Sequence, residues 1–415
     1  MEHAHIAINI VAKQALAPIC TLLTMLNSLS PGYLSLFSGC GGLDQGFEQA
    51  GFKGLLSIDN DATAIAVHSR NLRSKVQELD LTSSDPTLEA PLDVLLAGSP
   101  CQGFSTAGLR RIDDPRNSLL FVAPRVAAKL RPKVIVAENV PGAVSGSHRS
   151  FWEELHQRFR AQGYQTGDLR VDSSDYGVAQ KRQRIFLIGW RTGATCDLVL
   201  TPKAKKVLSD VLVDLTGLPN HDPILLAPKS DDFKIASRMG QGQKLTNSRG
   251  GELSIHTWHI PEVFGRTNKL EREILDEVLK LRRQIRRRDF GDADPVSLAL
   301  LKSKFDAAAI QKLVEKNYLR QLGRYVDLTH TFNGKYRRQR MASTARTVDT
   351  RFGDHRLFLH PTENRGFTVR EAARIQGFKD DFVFSGTLAQ QYRMIGNAVP
   401  PPVGQSVAEL VRHLL

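Results

Sequence analysis

The sequence predicts an α/β protein: a doubly wound, mostly parallel sheet with a second, smaller domain. Three observations carry that expectation. Between Tyr33 and Trp190, short apolar runs alternate with helical stretches. The first of these runs ends in a glycine-rich turn. Beyond Arg191 the alternation stops, and a long polar, basic stretch takes over. Short runs that are apolar throughout suit strands buried on both faces. Strict βα alternation suits a sheet with helices on both sides, which binds ligands at the C-terminal ends of its strands.

Taken in order, residues 1–32 form an N-terminal extension. Its segment Ile6–Leu29 is fairly apolar but is interrupted by Lys13, Gln14 and Pro18, which predicts an N-terminal helix or an over-long start and neither a signal peptide nor a membrane span. Residues 33–190 form the α/β domain. Its strands are expected at Tyr33–Phe37, Gly54–Ile58, Leu92–Ala97, Val134–Ala137 and Ile185–Trp190. Residues 191–340 form the second domain. There Leu270, Ile274, Val278, Leu281 and Ile285 recur at helical spacing, so the basic run Lys280–Arg288 is expected to extend an amphipathic helix. A second helix over Ala307–Tyr318 and a strand at Arg324–Thr329 follow, an order compatible with a winged-helix-like part. Residues 341–415 carry further helices at Arg370–Gln376 and Gln405–Leu414.

The 415-residue chain has 56 Lys and Arg against 43 Asp and Glu, a net charge of +13. Residues 191–340 hold 28 basic and 18 acidic side chains, so +10 of that charge sits in about a third of the chain. A surplus of this size points to a polyanionic partner. The four cysteines, Cys20, Cys40, Cys101 and Cys196, form no CxxC pair, which argues against a zinc site or a disulfide framework and fits a reduced, cytoplasmic setting.

Several residues carry chemistry. The turn Phe37–Gly46 has glycines that let a backbone approach a cofactor closely. Asp59, about twenty residues on, ends the next strand and is suited to a ribose hydroxyl pair. Asp80 is a second acidic strand end that could accept from an adenine amino group. Cys101 lies between Pro100 and Gln102 on a tight polar turn after a strand, where a thiol is accessible and its reactive thiolate can be favoured. Glu138 follows the buried run Val134–Ala137 and could act as a proton donor with a raised pKa. Gln180, Arg182 and Arg184 alternate onto one face as the last strand opens, which calls for a shared polar or anionic target.

The ordered blocks FSGCGGLDQGF, GSPCQGFS, ENV, QKRQR and QYRMIGNAVPPPV resemble those of the DNA cytosine-5 methyltransferases, prokaryotic type. The likeness covers Tyr33–Gly189 and Arg340–Leu415, and the stretch between falls where that family keeps its target-recognition region. It implies an S-adenosylmethionine-dependent methyltransferase fold, completed by residues 341–415. Phe37, Gly39, Gly42, Asp59, Asp80 and Pro100 would line the S-adenosyl-L-methionine pocket, with Asp59 standing where many members carry Glu. Asn397 would close the pocket, and the C-terminal helix would pack beside the first strand. Cys101 would add to cytosine C6, Glu138 would protonate N3, Arg184 would hold the O2 side, and Arg182 would support the catalytic loop or a phosphate. Gly103–Arg111 would close over a flipped base, and no metal is required. Duplex DNA is the expected partner. Arg286, Arg287 and Arg288, with Arg337 and Arg338 from the run Lys335–Arg340, are the expected phosphate contacts. A monomer is expected, with a restriction endonuclease of the same site as a companion. A tRNA cytosine-5 methyltransferase relative, or a DNA-binding regulator without catalysis, are the alternatives.

Overall fold

The computed structural model describes residues 30–100, 115–248, 250–287 and 293–415. The chain forms two compact units. One joins the residues up to Lys206 to Ala373–Leu415, and the other is Val207–Ala372. The change-overs fall at 206/207 and 372/373, later in the chain than 190/191 and 340/341. Hydrogen bonds explain the second shift: Leu208 N donates to Ser343 O at 3.1 Å and Ser209 N to Met341 O at 3.0 Å, which ties residues beyond Arg340 into the second unit.

In the first unit the chain runs through β1 (Gly32–Leu36), α1 (Gly42–Gln49), β2 (Lys53–Asp59), α2 (Ala62–Asn71), β3 (Lys75–Glu78), β4 (Val94–Ala97), α3 (Val122–Leu130), β5 (Val134–Asn139), α4 (Arg149–Arg160), β6 (Gln165–Asp172) and β7 (Gln183–Trp190). The sheet order is β3-β2-β1-β4-β5-β7-β6. β7 runs antiparallel to both its neighbours, and the other pairs are parallel. The five expected strands are present, with ends shifted by up to two residues; β3, at one sheet edge, was implied only by Asp80 as a strand end, and β6, at the other, was not expected.

Alternation along each strand builds two cores. Leu34, Leu36, Leu95, Ile135 and Leu187 face α3 and α4. Tyr33, Val94, Leu96, Val136 and Ile188 face Phe47 of α1 and Val403, Val407 and Val411 of the C-terminal helix Pro401–Leu414. That helix therefore covers the face carrying α1. The approach is close: a Cβ on Gly46 would sit 2.5 Å from Gln405 N, and one on Gly42 would sit 2.4 Å from Val399 O. Any larger side chain there would push the helices apart.

The second unit holds a core of Ile274, Val278, Leu301, Ile310, Leu313 and Val326 beneath the helix Lys269–Gln284. That helix starts with a capping box of Asn268 and Glu271. It ends at Gln284, short of the expected continuation to Arg288. Asp294 terminates it: its N–H donates to Arg282 O at 2.9 Å, and its carboxylate accepts from Arg287 N at 2.6 Å. Leu270 faces solvent, so the apolar stripe starts at Ile274. The next long helix spans Ala307–Glu315, and a hairpin of Leu319–Leu322 and Tyr325–Leu328 follows.

Candidate active site

Strand order reverses between β1 and β4, so their C-terminal ends open the crevice where doubly wound folds bind ligands. Phe37, Gly39 and Gly41, all just after β1, have φ of 55°, 56° and 90°. This left-handed turn lifts the chain off the sheet before α1 begins. A Cβ on Gly39 would meet nothing within 4 Å, so the turn leaves open space at that point.

Asp59 ends β2 beside this turn. Its Oδ2 accepts from Gly39 N at 2.8 Å, and its Oδ1 accepts from Asn60 N and Asp61 N at 2.9 Å each. With two acceptor positions per oxygen, Oδ2 keeps one for a further donor. Asp80 follows β3 and is exposed. Its Oδ1 accepts from the Thr82 hydroxyl at 2.7 Å and Thr82 N at 2.9 Å, and these bonds hold its carboxyl below the usual range. Pro100 is half-buried after β4. Cys101 and Gly103–Arg111 lie outside the described residues. Asn397 ends the helix Leu388–Asn397 and is exposed. Its neighbour Ala398 approaches Gly42: a Cβ there would sit 2.9 Å from the Ala398 Cβ.

Glu138 sits near the end of β5, the strand next to β4. Arg184 reaches it from β7, with Nε 2.8 Å from Glu138 Oε1, and both side chains are nearly buried. Antiparallel pairing sets Glu138 opposite Phe186, so Arg184 lies two residues away on the same face. Burial pushes the Glu138 carboxyl up, and the charges of Arg184 and Arg182 only partly offset it. The result is a carboxyl that holds a proton more readily than a solvated one, beside a guanidinium aimed at the same place.

The expectation that Gln180, Arg182 and Arg184 share one target is corrected. Gln180 is fully buried and donates to Gln376 Oε1, while Gln376 Nε2 donates to Ala398 O at 2.6 Å and Ile395 O at 3.1 Å. Arg182 is buried and its Nη2 donates to Gly396 O at 2.7 Å. Gln180 and Arg182 thus fasten the Gly396–Ala398 turn, while Arg184 makes an ion pair with Glu138.

One cluster escaped the sequence reading. Asp44 of α1, fully buried, accepts from the hydroxyls of Ser35 and Ser57 at 2.7 Å each and pairs with His68 Nε2 at 2.9 Å. Ser35 and Ser57 are register partners on β1 and β2. A serine in the middle of each apolar run was the available signal. The cluster anchors the glycine turn from beneath.

In the second unit, Arg286 and Arg287 are exposed beyond the helix end, and Arg288 lies outside the described residues. Arg337 is half-buried. Arg338 is corrected as a phosphate contact. It is buried, and its guanidinium donates to the carbonyls of Met239, His360 and Glu363 at 2.7 Å and of Ala236 at 2.9 Å, and to Asn364 Oδ1 at 2.5 Å. No donor remains to face a nucleic acid. Among the described residues there is no cluster of three or more potential metal ligands, and no helix is long and apolar enough to cross a membrane.

A doubly wound sheet, a glycine turn at its switch point and a nearly buried Glu–Arg pair at the end of the strand next to β4 fit an α/β enzyme of the methyltransferase class. Residues 32–413 match the C-5 cytosine-specific DNA methylase family model, and the chain belongs to that family. It is a DNA (cytosine-5-)-methyltransferase. It is 29% identical to the Type II methyltransferase M.AgeI of Thalassovita gelatinovora, over 91% of this chain and 98% of that one. It is 30% identical to the Type II methyltransferase M.HgiCII of Herpetosiphon aurantiacus, over 89% and 94%. A DNA modification methyltransferase encoded within an E. coli prophage shares the fold, with a TM-score of 0.57 at 23% identity, over 93% of this chain and 99% of that one.

Proposed function

We propose that the protein transfers a methyl group from S-adenosyl-L-methionine to C5 of a flipped-out cytosine in a specific duplex DNA sequence. It would do so through a covalent Cys101–C6 adduct, as the modification enzyme of a Type II restriction–modification system. The observation that carries the chemical part is the Glu138–Arg184 pair, a proton-retaining carboxyl held 2.8 Å from a guanidinium.

The residues after β1, β2 and β3 fit the cofactor. Open space at Gly39 admits a ligand, and Asp59 Oδ2 keeps an acceptor position for a ribose hydroxyl. Asp80 Oδ2 faces solvent without a hydrogen bond from Thr82, suited to an amino group. When bound, the cofactor supplies an electrophilic methyl on sulfur. The chain does the rest. Cytosine C5 is a poor nucleophile in the intact ring, so the Cys101 thiolate adds to C6 and pushes electrons toward N3. Glu138 delivers a proton to N3 and spares the ring a negative charge. Arg184 holds the O2 side. C5, now enamine-like, would take the methyl as its bond to the cofactor sulfur breaks to leave a neutral thioether; a base then removes the C5 proton, the thiolate leaves as the C5–C6 double bond returns, and N3 gives its proton back to Glu138. A stacked base cannot be reached from both faces, so the cytosine leaves the duplex. Residues 191–340 serve as the target-recognition domain, with Arg286, Arg287 and Arg288 on phosphates.

Bisulfite sequencing of DNA from cells expressing the protein tests this reading. The expected result is protected cytosines confined to one recurring duplex sequence. Methyl groups found on adenine, on cytosine N4 or only on tRNA would overturn it.

A further inference from the structure

Residues 269–328 form a helix, a short strand (Val296–Ser297), a short helix (Leu298–Lys302), the helix Ala307–Glu315 and a hairpin, in that order. The first strand pairs with the hairpin's second strand, which places Tyr325–Leu328 in the centre of a three-stranded sheet. Four residues, Ser303–Asp306, join the two short helices, and Asp306 caps the second by accepting from Ala309 N at 3.1 Å. This is the order and pairing of a winged helix, with Gly323 at φ 58° turning a short wing. In helix-turn-helix units the second helix lies in the DNA major groove and its N-terminal residues meet base edges.

The helix Ala307–Glu315 is built for two environments. Ile310 and Leu313 enter the core. Ala307, Ala308 and Gln311 are exposed on its first two turns. A surface cavity of about 350 Å³ opens at that face, and Lys302, Ala307, Ala308, Gln311 and, from the hairpin, Gln321 contribute to its wall. The helix and the wing therefore present one continuous surface.

Charge indicates the occupant. Lys302, Lys312 and Arg324 are exposed around this face. The neighbouring acids are engaged within the module: Asp306 in the cap, and Glu315 at 3.5 Å from the Gln311 amide. Small alanines let a backbone come close to a flat partner. A glutamine amide can pair with adenine N6 and N7, and an alanine methyl can pack on the thymine methyl.

Resting on the reading of the chain as a duplex-DNA methyltransferase, we propose that the helix Ala307–Glu315 enters the major groove of the substrate. Gln311, with Ala307 and Ala308, reads an A·T pair within the recognition sequence. Lys302, Lys312 and Arg324 contact the flanking phosphates.

The test is methylation of a duplex library randomised on both sides of the target cytosine, read by bisulfite sequencing. It uses the full chain as wild type, Gln311→Ala and Ala308→Glu. Both substituted positions are exposed, and melting temperatures check that each variant folds. Wild type is expected to prefer A·T at one position. Gln311→Ala should weaken that preference roughly 5- to 150-fold and leave the other positions unchanged. Ala308→Glu should change the preference at the same position, because a carboxylate replaces the methyl that faces the thymine there. An unchanged profile in both variants would overturn the proposal. So would an equal loss at every sequence, which would make the helix a phosphate contact, or a changed oligomeric state with an unchanged profile, which would make this face a self-association surface. Failure of wild type to methylate any duplex would instead strike the enzymatic reading itself.

Discussion

The first unit uses its arginine beside Glu138 as an instrument, whereas the second buries several of its arginines as fasteners. Arg184 pairs with a carboxyl that burial has pushed up and that the neighbouring guanidinium charges only partly bring back. In the second unit Arg282 lies 2.5 Å from Asp327, Arg365 bonds both oxygens of Glu371 at 2.7 and 2.8 Å, and Arg338 spends itself on four carbonyls and an amide oxygen. The same residue type is therefore chemical in one place and architectural in another. Net charge alone does not tell them apart. What does is whether the guanidinium has donors left over.

The largest effect that would sharpen this contrast lies at Glu138. Glu138→Gln keeps the shape and removes the proton donor, so single-turnover methyl transfer should fall by about 10²–10⁴-fold with little change in cofactor affinity. A change of less than a few-fold would move the acid elsewhere. The pH profile should follow. A raised carboxyl pKa keeps the proton above the ordinary carboxylate range, so the rate falls as pH rises through that pKa, and the variant should lose that limb.

Next in size comes Arg338→Ala, which strands four carbonyls and an amide oxygen in a buried setting. It should destabilise the chain by about 3 kcal/mol or more in denaturant unfolding. An unchanged midpoint would mean that water takes over the contacts and that Arg338 is no fastener.

A third expectation concerns acid. Burial holds His360 down to about 4, and the buried Glu371 stays below the usual carboxylate range because Arg365 outweighs its desolvation. The unfolded chain takes up a proton at His360 near pH 6.5 while the folded one does not. Stability should therefore decline by up to about 3 kcal/mol between pH 6.5 and 4, and further as Glu371 is protonated. His360→Gln should flatten the upper part of that decline, as followed by denaturant midpoints across the range.

The smallest effect belongs to the exposed pair. Arg286→Ala with Arg287→Ala should leave stability within about 0.5 kcal/mol. It should weaken DNA binding at all sequences and flatten its salt dependence by up to about one unit of slope per lost phosphate contact. An unchanged slope would return the phosphate contacts to other cations of the unit.

The sequence made the central strands legible because a strand buried on both faces is apolar at every position. β6 escaped because an edge strand is apolar on one side at most: in Gln165–Asp172, Leu169 and Val171 face inward while mostly polar residues fill the other positions. The glycine turn, Asp59 and Glu138 were legible because each follows an apolar run. Gln180 and Arg182 were misjudged because their partners, Gln376 and Gly396, lie about two hundred residues away and leave no local pattern. Arg338 was misjudged for the same reason, since its acceptors are backbone carbonyls, which every residue carries. The Asp44–His68 cluster was hidden because its four members come from β1, α1, β2 and α2 and leave no local pattern.

The central claim is that methyl transfer proceeds through one thiol of four. Structure separates two of the candidates from Cys101. Cys40 is buried and its thiol is pushed up to about 12, chiefly by desolvation, so it yields almost no thiolate near neutral pH. Cys196 is half-exposed but lies after β7, away from the strand ends that form the crevice. The decisive measurement is mass spectrometry of the peptide trapped on a duplex carrying 5-fluorocytosine at the target, where fluorine cannot leave as a proton does. The account expects one adduct, on the peptide containing Cys101, formed only with the methyl donor present and lost in Cys101→Ser. An adduct on Cys40 or Cys196, or full turnover by Cys101→Ser, would contradict it.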